Sequence, residues 1–126
     1  MKILRNIILS LFTIFLIGSC ATVEVRAVRN GNLQQLDKFL SKGGDPDTIF
    51  TDGNPLIHIA VQSGQLVSLE RLLTAGANPD LLNSSGNTAA FLAAANNRFD
   101  MIKILLSFGA DMTIPGNGGK TTIMLA

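Results

Sequence analysis

The chain has 126 residues, enough for one domain, and a single cysteine, which excludes an internal disulfide and a cysteine-rich metal site. It is 47% hydrophobic and 15% charged, with a formal net charge of +1 and a mean hydropathy of +0.36. There is no Trp, no Tyr and no Lys/Arg cluster. The electrostatic footprint and the aromatic platforms of a nucleic-acid binder are therefore both missing.

Much of the apolar excess lies in the first twenty residues, MKILRNIILSLFTIFLIGSC. Lys2 and Arg5 make a short positive start. Residues 7–17 are apolar except for Ser10 and Thr13, and the small Gly18 and Ser19 follow. This is the order of a secretory signal peptide, and the apolar run is shorter than a membrane span needs. The ending Ile17-Gly18-Ser19-Cys20 resembles the bacterial lipobox. That resemblance implies a signal peptide over 1–19, acylation of Cys20 and, with Ala21 rather than Asp next, delivery to the periplasmic face of the outer membrane. The anchor of such lipoproteins carries more than one acyl chain, as stable membrane attachment requires. Without residues 1–19, eight basic residues face nine acidic ones, and the side chains sum to about −1 at pH 7.

Beyond the leader the sequence repeats with a step of 33 residues. The step connects Gly43, Gly76 and Gly109; Gly53, Gly86 and Gly119; Ala27, Ala60, Ala93 and Ala126; and the pairs Phe39-Leu40, Leu72-Leu73 and Leu105-Leu106. In chain order the pattern predicts helices over 23–29 and 33–42, a β-turn finger over 47–53, and helices over 55–63 and 66–75. A second finger over 80–86 and helices over 88–96 and 100–108 follow. The paired Leu positions, with Leu69 and Ile102 three residues earlier, share one helical face. Gly43, Gly76 and Gly109 follow apolar helices, where a left-handed residue closes the last turn. Gly53 and Gly86 sit in the turn before a unit's first helix. Ala60 and Ala93 are small where paired helices approach. Pro46 and Pro79 end the preceding helices and favour an extended link.

These columns resemble the ankyrin repeat, whose pattern runs G-x-T-P-L-H-x-A, then a Gly, then L-L-x-x-G-A. Gly53-Asn54-Pro55-Leu56-Ile57-His58-Ile59-Ala60 matches its first part with Pro55 in the Thr position, and Leu72-Leu73-Thr74-Ala75-Gly76-Ala77-Asn78 matches its second. The resemblance covers roughly residues 27–126. It implies an all-α solenoid of stacked helix pairs with short fingers. The units fall at about 20–49, 50–82, 83–115 and a partial 116–126. It further implies a binding module that needs no cofactor, metal or catalytic group, whose partner is another protein, with the membrane engaged through Cys20 alone. The concave face carried over from the family holds Thr51, Asp52, Asn54, Gln62 and Ser63, and then Ser84, Ser85, Asn87, Ala95 and Asn96. Some exported bacterial relatives neutralise a toxic envelope enzyme. That immunity role, an accessory role for an envelope enzyme and a degenerate fragment of a longer array are the readings the resemblance leaves open.

No enzyme chemistry competes with this reading. His58 is the sole histidine and fills the H of the turn motif, where its ring is expected to bond nearby backbone; no second His or Cys completes a metal site. Gly118-Gly119-Lys120-Thr121 lacks the spacing of a phosphate loop, since Ile114 stands where Gly is needed. Asp45, Asp47 and Asp52 lack the alternation of a calcium loop and read as solvated turn carboxylates. Ser63 and Ser84-Ser85 have no nucleophile elbow around them. The chain ends at Ala126 inside the first helix of a unit, so the apolar 122–125 is expected to lack a covering second helix.

Overall fold

Each 33-residue unit makes two short helices that reverse on each other, and the units stack side by side. The computed structural model describes residues 23–125, so the leader and Cys20 lie outside the described residues. The described helices are α1 (Val23–Asn30), α2 (Leu33–Ser41), α3 (Leu56–Gln62), α4 (Leu66–Thr74), α5 (Ala89–Ala95), α6 (Phe99–Ser107) and α7 (Thr122–Leu125). From α1 to α6 every boundary falls within one residue of the expected one. None of the described helices is long and apolar enough to cross a membrane.

Two layers result. The first helices of the units, α1, α3, α5 and α7, pack in one row, and α2, α4 and α6 form a second row behind them. The sequences differ accordingly. In α3 all of Leu56, Ile57, His58, Ile59, Ala60 and Val61 are buried, because α1, α4 and α5 enclose it. In α4 only one stripe, Ser68, Leu69, Leu72 and Leu73, is buried. A helix enclosed on every side is apolar all round, whereas one with a solvent face is apolar along a stripe. Ala27, Ala60 and Ala93 are at most 1% exposed. Their carbonyls also receive the N–H groups of Asn32 (2.7 Å), Gln65 (2.9 Å) and Arg98 (2.7 Å), which closes the turn between the two helices.

That turn holds the single Gly between the two parts of the repeat pattern, a column to which the sequence reading assigned no residues. Gly31, Gly64 and Asn97 occupy it, at φ of 70°, 70° and 57°. Both helices of a unit thus end on a left-handed residue, with Gly43, Gly76 and Gly109 serving the second helix as expected. The following N–H reaches back to the carbonyl five residues earlier, as Ala77 does to Leu72 at 3.0 Å. Asn97 is the only described residue other than Gly with positive φ. Asn tolerates this region better than most residues but less well than Gly.

Between units the chain makes a tight finger. Gly53, Gly86 and Gly119 donate to Phe50 (2.8 Å), Asn83 (2.9 Å) and Gly116 (3.0 Å), and isolated bridges join Ile49 to Pro55 and Pro115 to Thr121. The helix entries then differ. Thr88 caps α5 by accepting from the Phe91 N–H at 3.1 Å, while Pro55 offers α3 no side-chain cap.

Asn97→Gly is expected to stabilise the chain by up to about 1 kcal/mol, and Gly76→Ala to destabilise it by about 1–2 kcal/mol. Urea midpoints of the two variants against the parent check both signs. No atom lies within 4 Å of a Cβ placed on Gly76, so the backbone angle alone carries its effect.

Candidate protein-binding surface

The polar residues of the fingers divide into those that hold one unit to the next and those that face outward. Asn83 does the first. Its side-chain oxygen accepts from Ser85 N (3.1 Å) and Asn87 N (3.0 Å), shaping its own finger, and its amide donates to Asn54 Oδ1 of the preceding unit (3.3 Å). Asn87 Oδ1 accepts from Asn117 N of the following unit at 2.7 Å. Ser84 N donates to the Gly53 carbonyl at 3.0 Å. A Cβ on Gly53 would lie 2.5 Å from Ser84 Cβ, so close finger stacking and a φ of +75° both require glycine there.

Carboxylates make a second line of bonds between units. Asp47 Oδ1 accepts from Asn78 N, and Asp80 Oδ1 from Asp111 N, each at 2.8 Å. Expected to be a solvated turn carboxylate, Asp47 instead joins two units, and the 33-residue step to Asp80 is the sequence signal that marks the pair. Asp45, Asn78 and Asp111 shape the turns beneath by accepting from the N–H two residues on. At Asp111 the Thr113 hydroxyl and then its N–H hold the carboxyl below the usual range.

His58 makes a third link. The ring is fully buried, and Nε2 lies 2.8 Å from the Asn87 carbonyl in the next finger, to which it donates. The expected bond to backbone is present, but it crosses to the neighbouring unit. Nδ1 is buried with no hydrogen-bond partner among the described residues. In the next two units Thr88 and Thr121 occupy the column where this unit has Pro55, which has no hydroxyl to offer. Burial pushes the imidazole below its ordinary 6.5, against a smaller opposing effect of the Asn87 bond.

The residues expected on the concave face therefore play two parts. Asn54 and Asn87 are half-buried and engaged between units. Thr51, Asp52, Gln62, Ser84, Ser85, Ala95 and Asn96 are exposed, and Ser63 is half-exposed. Of these, only Asp52 has a side-chain bond among the described residues, to Asn54 N within its own finger (3.1 Å). Asn117, absent from the expected set, falls in the Thr51 and Ser84 column and extends the row to a third finger. No cluster of three or more His, Cys, Asp or Glu suited to a metal occurs among the described residues.

Stacked helix pairs, fingers that bond finger to finger and a surface row of unengaged polar side chains define a repeat scaffold with an exposed polar face. The family model for ankyrin repeats (three copies) matches residues 25–116, and the chain belongs to the ankyrin-repeat family. Ankyrin repeats serve as protein–protein interaction modules. Among solved structures, the chain is similar to the ankyrin-repeat domain of Bcl-3, a member of the IkappaB protein family, with a TM-score of 0.80 and 25% sequence identity. The match covers 84% of this chain and 47% of that one, so the chain spans about half the length of that structure. No curated protein matches the chain.

Two predictions follow from the links between units. Asp80→Ala should lower stability by about 1 kcal/mol, and Asp80→Asn, which keeps an acceptor, by less. Chemical denaturation of both variants tests this. For His58, the unfolded chain takes up a proton before the folded one. Its contribution is complete above pH 6.5 and is lost as pH falls below that value towards the lowered folded pKa. The denaturation midpoint should therefore drop on mild acidification, and His58→Gln should remove that part of the slope.

Proposed function

We propose that this protein is a lipid-anchored ankyrin-repeat scaffold of the bacterial envelope, held at Cys20, that binds another protein through its concave face. The observation that carries the binding role is the row of exposed side chains the fold leaves free. The side chains of Thr51, Ser84, Ser85, Gln62, Ala95 and Asn96 make no hydrogen bond with any described residue, although the Ser84 backbone joins its finger to the one before. They are small or amide-bearing, and none of them is charged. Such a surface favours close approach and hydrogen bonding over long-range electrostatic steering. The sequence of the leader supports the location: a short cationic start, an apolar run and Ile17-Gly18-Ser19-Cys20.

An affinity capture from envelope extracts, read by mass spectrometry, tests this reading. The native chain should enrich one dominant partner. Ser85→Arg combined with Ala95→Arg should reduce its recovery at least about tenfold while leaving the denaturation midpoint within about 0.5 kcal/mol of the parent, because both positions are exposed. Cys20→Ser should move the protein out of the membrane fraction. A partner inhibited by the purified chain marks an immunity protein, and a partner whose abundance falls on deletion marks an accessory factor. Undiminished capture by the double variant would remove the concave face from the account.

A further inference from the structure

Within the first unit the helix pair is cationic, while the finger that follows it carries Asp45 and Asp47. Residues 23–44 carry four cations, Arg26, Arg29, Lys38 and Lys42, against the carboxylates Glu24 and Asp37. Residues 45–124 carry four cations against seven carboxylates. One of the two carboxylates in the first unit is already engaged, since Asp37 pairs with Arg71 of the next unit at 2.7 Å. Lys38 and Lys42 have no ion pair with any described residue.

The outer end of this unit holds a groove of about 520 Å³ between α1 and α2. Val23 and one side of the half-buried Phe39, which packs against the core, give it an apolar lining, with Gly43 and Gly44 beside them, and Lys38, Lys42, Gln35 and Glu24 complete it. Val23 is 58% exposed. Lysines at a helix C-terminus ordinarily do no more than complement its dipole. Here they share a concavity with exposed apolar surface, at the net-cationic end of the chain. Cys20 lies three residues before Val23, a reach of about 10 Å at full extension.

The geometry points to the groove at the outer end of α1 and α2 as a membrane-docking surface, with anionic phospholipid headgroups as its occupant. Lys38 and Lys42 meet headgroup phosphates, and Val23, with the outer side of the Phe39 ring behind it, faces the boundary with the acyl chains. Glu24 opposes the contact. The acidic remainder of the solenoid is repelled from the same surface, so the stack stands away from the bilayer with its fingers free. The inference rests on acylation of Cys20.

The test uses the full chain produced in a bacterial host that processes lipoproteins, with the mass of the acyl group on Cys20 measured first. The protein is reconstituted into vesicles of phosphatidylethanolamine and phosphatidylglycerol, into phosphatidylcholine vesicles, and into neutral detergent. Amide exchange over 33–44 should slow about tenfold or more on the phosphatidylglycerol vesicles relative to the other two, and molar salt should reverse the effect. Lys38→Glu with Lys42→Glu should abolish the slowing, and Glu24→Gln should deepen it, with the chain still membrane-bound in both. Equal exchange in all three environments, slowing that survives the double charge reversal, or the same slowing with inorganic phosphate in detergent overturns the proposal. An unmodified Cys20 overturns the anchoring reading and this proposal together, whereas an acylated chain with an unprotected groove overturns the proposal alone.

Discussion

Burial of one unit against the next is the constraint from which the rest follows. A single helix pair of this length cannot enclose an apolar helix such as α3. Leu56, Ile57, Ile59 and Val61 leave solvent because α1 and α5 flank them on either side and α4 lies behind. Close stacking then dictates side-chain size at the contact, which is why Ala27, Ala60 and Ala93 recur. It also requires sharp reversal between helices, which the left-handed residues at 31, 64 and 97 supply. In a stack of this kind each unit contacts only its neighbours, so stability is close to a sum of unit and interface contributions.

Stacking also decides how the polar residues are used. Fingers brought side by side place backbone N–H groups within reach of the neighbouring unit, where Asp47, Asp80 and Asn87 accept from them, and Asn83 bonds Asn54 side chain to side chain. The residues beyond the reach of these links, Thr51, Ser84, Ser85, Ala95 and Asn96, remain available to a partner. Asn and Ser therefore serve two purposes on one surface, and composition alone does not separate them.

His58 illustrates how a departure in one column leaves a trace in another. Its Nε2 closes the link to Asn87, and in this unit, where proline stands in place of the threonine of later units, the opposite ring nitrogen is buried with no hydrogen-bond partner among the described residues. Burial holds the imidazole neutral against the smaller effect of the Asn87 bond, and the stack acquires a sensitivity to acid at one joint.

The helices, the left-handed glycines at 43, 76 and 109 and the membership of a stacked-repeat fold were determined by the sequence alone. All are local or periodic: a 3.6-residue apolar stripe, a glycine after a helix, a column every 33 residues. Asn97 escaped because the residue changes identity within its column, and backbone angle reveals what the letter conceals. The division of the concave residues was decided only by tertiary structure. Asn54 and Asn87 read like Ser84 and Asn96 in the sequence, yet the side chains of the former bond across units and those of the latter do not. Such bonds join residues about thirty positions apart, and whether a side chain reaches its counterpart depends on the stacking distance and the angle of the finger. The same holds for Asp47 and for the groove of α1 and α2, whose lining residues come together only when the two helices pack.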